Sequence, residues 1–422
     1  ILLRMRKYEW VVTSDISEIF LKCILDPVDR PYHRFTFNGE DYEWQVTLFG
    51  NLASPNGLQK VLHENCKMFG EGKPEAVESI MNSCYMDDVG DSREKEETAL
   101  KLVNELIELF EECGMPVRKF LTNSPKVLAA IPKELLAKQI TFNDVNDAIY
   151  DIAKILGMQY FAPKDIFRFV GRFSEFEDFI SWKNRGTETI VKTPDWTKRL
   201  MLRASASIFD PLGLLSPFTV RAKVILQRVW RNKKDWDDEL PIEIIKEWLM
   251  WLKGVFDIPR VEIPRWTHFS SKTKLQLHIF CDASEDGYCI CVYTVVTDED
   301  GTIIVTLLTA KSRVTPLKSE SIARLELIGC VLATRITAAV LQEYYCEPVD
   351  IFFWTDSENC LHWIKQTAKG YKAFVAHRVG EIQNATEQFQ WRHIPGQLNP
   401  ADIGTRPITA EQLLENENWW KG

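Results

Sequence analysis

The chain has 422 residues, 45% of them apolar, with a formal net charge of −9 and a pI near 5.5. The length fits two or three domains of ~100–200 residues, and uniform acidity would argue against a nucleic-acid partner. No unbroken apolar run of 18 residues predicts a membrane span, and the 10 cysteines include no CxxC pair, which points to reduced thiols and an intracellular setting.

The opening ILLRMRKYEW holds no starting methionine, signal-peptide core or cleavage site and reads as the interior of a longer polypeptide. Residues 11–25, VVTSDISEIFLKCIL, begin as a β-like apolar run, meet Asp15, and pass to helical spacing at Ile16, Ile19, Phe20 and Cys23. Residues 31–50 alternate apolar and polar around Asn38-Gly39, a strong hairpin signal. Residues 83–92, SCYMDDVGDS, set two bare acids, Asp87 and Asp88, after an apolar run that is expected to hold them at a buried strand edge. Such neighbours repel unless solvent or a cation screens them, and a surface turn is the bland alternative. Leu100, Val103, Leu106, Ile107 and Phe110 then predict a helix that stops at Gly114. The alternation of strands and helices is an α/β pattern.

Residues 155–169, ILGMQYFAPKDIFRF, read as a hairpin. Residues 203–230 read as helices broken at Pro211 and Pro217, and FDIPRVEIPRW (256–266) as a boundary. Residues 274–296 read as a hairpin with Asp282 in mid-strand, followed by a strand at 302–310, a long helix over about 320–345, and an apolar strand ending at Asp356. Helical stretches around a last strand, FQWRH, close a second α/β unit. From Trp196 to Lys234 there are nine Lys/Arg against one acid, Asp210, so this segment either tracks phosphates or is a solvated basic face.

Three acids of the first half, Asp15, Asp87 and Asp88, stand where strands end. Magnesium takes oxygen ligands, and two such ions ~3.5–4 Å apart serve phosphoryl transfer. In the second half Asp282, Glu326, Asp356 and Asp402 make a second set. Glu326 lies among Leu325, Leu327 and Ile328, where a charge is costly unless paired or metal-bound; Arg324 or Arg335 would be its ordinary partner. His393, on an expected Gly/Pro loop nine residues before Asp402, is placed to move protons, with a structural histidine as the alternative.

In this order, DISEIF (Asp15–Phe20), LFGNLASPNGLQ (Leu48–Gln59), YMDD (Tyr85–Asp88) and GMPVRKF (Gly114–Phe120) resemble the palm motifs of reverse transcriptases, nearest to the Pao/BEL group of long-terminal-repeat retrotransposons. The resemblance implies that Asp15, Asp87 and Asp88 hold two metals. It implies that Phe20 excludes a ribose 2′-OH, although the residues alone fit a core aromatic. Gly50, Ser54, Pro55 and Gln59, with Tyr85 and Met86, would shape the substrate pocket, and Lys119 would approach the triphosphate or donate a proton. The series Asp282, Glu326, Asp356, His393, Asp402 resembles the retroelement ribonuclease H, in which four acids bind two metals and water attacks the RNA phosphate. FDPLGLLSP (Phe209–Pro217) resembles the Pao segment that links the two enzymes.

The expected fold is α/β (α+β) and multidomain: a reverse-transcriptase palm with partial fingers over 1–125, a thumb-like region over 126–195, a basic connection over 196–270, a ribonuclease H-like mixed five-stranded sheet with flanking helices over 271–410, and a tail over 411–422. The expected function is RNA-directed DNA polymerase with ribonuclease H, using two Mg2+ per site or Mn2+ in their place. Partners would be template RNA, RNA–DNA hybrid, deoxynucleoside triphosphates and other Pol/Gag products, without a membrane, in a cytoplasmic particle or the nucleus. A decayed or domesticated element that binds nucleic acid without catalysis is the alternative.

Overall fold

The computed structural model describes residues 1–137, 153–155, 158–169, 196–318, 320–344 and 350–422. Most of the expected thumb-like region therefore lies outside the described residues. The chain forms two compact units, Ile1–Ile166 with Pro264–Ser270, and Phe167–Ile263 with Ser271–Gly422.

In the first unit, α1 (Leu2–Lys7) leads into β1 (Trp10–Ile16) and the short α2 (Ile19–Lys22). The hairpin of β2 (Arg34–Phe37) and β3 (Glu40–Glu43) turns at Asn38-Gly39, both with positive φ (52° and 82°), as expected of a two-residue turn. Helices α3 (Ser54–Phe69) and α4 (Pro74–Ser83) precede β4 (Cys84–Tyr85), β5 (Asp88–Arg93), α5 (Glu96–Glu112), β6 (Val117–Thr122) and α6 (Pro125–Ala130). The run before the paired acids is thus mostly the helix α4, because its buried residues Ala76, Ser79, Ile80 and Ser83 recur at helical spacing. The sheet runs β4-β5-β1-β6, and Leu102, Leu106, Leu109 and Phe110 of α5 share one core with Val12, Ile16 and Val89. Farther on are β7 (Ala153–Ile155), paired with β8 (Met158–Phe161), and then β9 (Ile166–Arg168), at whose first residue the unit's main stretch ends.

Pro264–Ser270 belongs with this unit for a polar reason. Fully buried Arg265 pairs with Asp165 and donates to the carbonyls of Met5, Tyr8 and Glu9. The change from the second unit to Pro264–Ser270 falls in β10 (Glu262–Pro264), within the Pro-punctuated stretch.

The second unit begins with α7 (Lys198–Ala206), α8 (Ser216–Arg231) and α9 (Ile242–Val255). Pro217 does not break α8 but starts it, since the first turn needs no N–H from proline. A five-stranded mixed sheet follows, ordered β13-β12-β11-β14-β15: β11 (Lys274–Ala283), β12 (Gly287–Thr297), β13 (Ile303–Val314), β14 (Asp350–Thr355) and β15 (Trp391–His393). The first three pair antiparallel, while β14 lies parallel to both β11 and β15. Helix α10 (Ile322–Tyr344) packs on β11 and β12, with α11 (Glu358–Lys365) and α12 (Ala373–Ala385) beside it. By length and composition α10 is apolar enough to cross a membrane, but most of its apolar stretch is buried in the fold. Three short helices, α13 (Ala401–Thr405), α14 (Ala410–Glu415) and α15 (Glu417–Lys421), end the chain.

FDPLGLLSP is a docking loop. Asp210 accepts from the N–H groups of Leu214 and Leu215, and Leu212 pairs with Ala310 of β13. Gly213 (φ 70°) is required there, because a Cβ would stand 1.8 Å from the Ala310 carbonyl oxygen.

Candidate active sites

In the first unit the strand register brings two of the three expected acids face to face. Asp15, penultimate in β1, is paired directly with Asp88 at the start of β5, and residues so opposed have Cα atoms about 4.5–5.5 Å apart. Asp87 sits in the two-residue turn between β4 and β5, its carbonyl accepting from Ile16 N–H at 2.7 Å. Met86 in that turn has φ 55°, a conformation a side-chain-bearing residue adopts at a cost, as functional turns often do. The three carboxylates nevertheless do not converge on a common point: among the described residues no group of metal-ligand atoms within 4.8 Å includes them. Instead Lys119, itself at φ 56°, places Nζ 3.2 Å from Asp15 Oδ2.

The proposed pocket residues fall on the elements around this edge. Phe20 of α2 is half-buried and packs against the core, as does Met86. Gly50 has φ 92°, Ser54 is buried at the start of α3 and donates to the Leu48 carbonyl, and Pro55 occupies the first turn of the same helix. Gln59 bonds His63 one turn on at 3.0 Å, and Tyr85 is 51% exposed.

The second unit assembles a tighter site. Asp282, Glu326 and Asp356 each offer an oxygen within 4.8 Å of the others. Asp282 is not in mid-strand but is the penultimate residue of β11, the central strand; Asp356 follows β14, the parallel neighbour; Glu326 comes from the second turn of α10. Parallel neighbours end on the same side of a sheet, which is why residues far apart in sequence meet there.

Asp282 and Glu326 are buried, yet among the described residues neither forms an ion pair. The two arginines expected to pair with Glu326 go elsewhere, Arg324 to Glu320 at 2.8 Å and Arg335 to Glu381 at 2.5 Å. Glu326 Oε2 and Asp356 Oδ1 are buried without a hydrogen-bond partner among the described residues. Burial, then the charges of Asp282 and Asp356, pushes the Glu326 carboxyl up to about 9. Burial likewise raises Asp282 to about 6, although the bond from Thr405 Oγ1 at 2.8 Å pulls the other way, and burial raises Asp356. Orphaned hard oxygens on mutually repelling carboxylates fit one kind of guest, a hard divalent cation.

Asp402 stands outside this group, its carboxylate 2.9 Å from Arg406 at the other end of α13. His393 is not on a loop: it is the exposed last residue of β15, paired with Thr355, and its charge favours ionised Asp356. Sequence reasoning missed Thr405, which holds Asp282, and Asn399, whose buried amide donates to the Cys281 carbonyl at 3.0 Å. Both lie in the same 393–406 stretch as His393 and Asp402, and that proximity was the available signal.

Much of the basic segment is spent inside the unit. Arg199 pairs with Asp237 at 2.8 Å, Arg228 with Glu247 at 2.6 Å, and Lys198 lies over Trp230 and Trp236. Both acids fall beyond the window that looked so basic.

Residues 1–120 match the family model of the reverse transcriptase (RNA-dependent DNA polymerase), and residues 197–357 match that of the Pao retrotransposon-like RNaseH-like domain. The two matches lie in this order along the chain and do not overlap. The Pao match runs through α7–α9 and the sheet to Ser357, so it takes in Asp282, Glu326 and Asp356 but stops short of His393 and Asp402. Among solved structures the chain is similar to a foamy viral protease-reverse transcriptase in complex with RNA/DNA hybrid, at 14% identity and TM-score 0.52, over 96% of this chain and 46% of that one. It is also similar to the foamy viral protease-reverse transcriptase dRH in complex with double-stranded DNA, at 16% identity and TM-score 0.53, over 93% and 58%. These likenesses show the fold, and the chain spans about half the length of the proteins it matches. A search of curated proteins returns no match.

Proposed function

We propose that the second unit hydrolyses the RNA strand of RNA–DNA hybrids at the Asp282–Glu326–Asp356 cluster with two divalent cations, Mg2+ or Mn2+ in its place. The observation that carries this reading is the convergence of three carboxylates, two of them with orphaned buried oxygens, at the end of the central strands. Bound cations would supply Lewis-acid activation of the phosphate and of the attacking water. The chain's own part is to concentrate negative charge: Asp282, oriented by Thr405, Glu326 on the rigid α10, and Asp356, with Asp402 adding a fourth carboxylate when Arg406 releases it. His393 moves a proton at the leaving oxygen.

The first unit would serve DNA synthesis on an RNA template from deoxynucleoside triphosphates, through Asp15, Asp87 and Asp88, with Phe20 against the sugar. Lys119 would leave Asp15 when a cation and a triphosphate arrive. Other Pol and Gag products would be its assembly partners. The complexes of the foamy viral proteins with hybrid and duplex support the choice of ligand class.

The test is cleavage of labelled RNA in a hybrid by the full chain, with Mg2+ and with chelator. Asp282→Asn is expected to abolish cleavage, and His393→Ala to slow it by the ~10²–10⁴-fold of a lost acid–base group. A folded wild-type chain that binds the hybrid and leaves it intact in Mg2+ and Mn2+ would replace this reading with nucleic-acid binding alone.

A further inference from the structure

Gly396 is the first residue of a single 3-10 turn, Gly396–Leu398, that follows β15. Its φ lies outside the left-handed region, so the backbone there makes no demand for glycine. The demand comes from a side chain. A Cβ on residue 396 would stand 2.8 Å from Asp356 Oδ2 and 3.8 Å from Asp356 Cγ, closer than carbon and oxygen tolerate.

That contact matters because little else orients the carboxylate. Asp356 Oδ1 is buried with no hydrogen-bond partner among the described residues, and no described side chain donates to either oxygen; its own backbone N–H and the more distant His393 are what favour the ionised form. Metal-ligating carboxylates ordinarily take their aim from several donors around them; here one backbone N–H is joined by a wall. The wall is held on both sides. Ile394 N–H donates to the Thr355 carbonyl at 3.1 Å, and Asn399 N–H donates to the Gly396 carbonyl at 3.1 Å. The Asn399 side chain, 3% exposed, donates to the Cys281 carbonyl at 3.0 Å, immediately before Asp282. One turn thus spans from Asp356 to the strand that carries Asp282.

We infer that Gly396 is a positioning residue: by lacking a side chain it lets the 394–399 turn close on Asp356 and fix where that carboxylate meets a divalent cation. This rests on the reading of the acid cluster as a cation site. Gly396→Ala must push Oδ2 away, and Mg2+ needs near-ideal geometry at ~2.0–2.1 Å, so the loss appears as weaker cation binding. Disturbing what orients a ligand typically costs 10–100-fold in metal affinity.

The experiment uses the full chain and two readouts. The first is direct titration of Mn2+ and Mg2+ by calorimetry, beside the Mg2+ dependence of hybrid cleavage. Gly396→Ala is expected to weaken cation binding by ~10-fold or more and to raise the Mg2+ concentration for half-maximal cleavage by the same factor. Gly370→Ala, where an added Cβ meets nothing within 4 Å, is expected to change neither. The second readout is a stability cycle in chelator, in the wild-type and Asp356→Ala backgrounds. Gly396→Ala should lower the thermal midpoint only where the Asp356 carboxylate is present. Unchanged cation affinity in a folded Gly396→Ala chain overturns the inference and leaves the cluster standing. Equal destabilisation in both backgrounds, unfolding included, also overturns it, because the clash would then lie elsewhere. A wild-type chain that binds neither cation overturns the cation reading itself, and the role of Gly396 with it.

Discussion

A carboxyl whose value is raised by folding holds its proton more tightly in the native chain than in the unfolded one. Glu326 rises from 4.5 to about 9, through burial and the facing charges of Asp282, Asp356 and the Cys360 thiol, and Asp282 rises from 3.8 to about 6. Their contribution to stability is therefore full below the ordinary carboxylate range and is lost as pH climbs through the raised values. The cation-free chain is expected to show a falling thermal midpoint from about pH 4 to about pH 9. Glu326→Gln should flatten the upper part of that fall, and saturating Mg2+ should reverse it. A midpoint independent of pH in chelator would contradict this. At the other site, Lys119 is well exposed and its pair with Asp15 contributes about 0–1 kcal/mol. Lys119→Gln should accordingly leave stability nearly unchanged while strengthening Mn2+ binding at the palm, measured in an Asp282→Asn background that silences the second unit. Unaltered Mn2+ affinity would show that the pair does not compete with a cation.

At the scale of elements, the docking loop before α8 shows how a glycine can secure a helix. The Leu212 carbonyl accepts from Ala310 N–H and Thr309 Oγ1 of β13, each at 2.8 Å, and Gly213 lies against the Ala310 carbonyl. Gly213→Ala combines a disfavoured φ with backbone overlap and is expected to destabilise the second unit by about 2 kcal/mol or more, read as a lower midpoint of denaturant unfolding. Gly370→Ala, free of both, should change it little. Helix α10 makes the complementary point. Its apolar composition would suit a lipid or a core equally, and only Leu327, Cys330, Ala333 and Val340, buried in the second unit, show which it covers.

For the whole molecule, the net charge of −9 says little about where nucleic acid could bind. Arg199 and Arg228 are committed to acids, whereas Arg221 and Arg231 have no acid partner among the described residues. If hybrid phosphates meet this face, Arg221→Gln and Arg231→Gln should each reduce the slope of log affinity against log salt by about 0.7–0.9, as one lost phosphate contact does. Arg199→Gln and Arg228→Gln should leave the slope where it is. Equal slopes for all four variants would remove the segment from the interface.

Local order was legible because its causes are local. Asn38-Gly39 needs only its own φ preferences to make a turn, the five apolar positions from Leu100 to Phe110 need only a period of 3.6, and the order of acid-bearing motifs is a property of the string. The same is true of the mixed sheet, foreshadowed by alternating strand and helix patterns. What the string does not hold is who faces whom. Arg324 is two residues from Glu326 yet serves Glu320, because α10 turns it outward; Arg265 looks like a surface cation in a Pro-rich boundary yet is buried among Met5, Tyr8, Glu9 and Asp165. Asp15 and Asp88 fall on strands and Asp87 in the turn between two, whereas Lys119 beside Asp15 depends on the pairing of β1 with β6. Gly396 is the clearest case. As a letter it is a turn residue, and only the fold brings Asp356 close enough to make the missing methyl group matter. Sequence determined the elements and the chemistry they carry; tertiary packing decided which charges are compensated and which are left for a cation, because burial and pairing are set by distance in space.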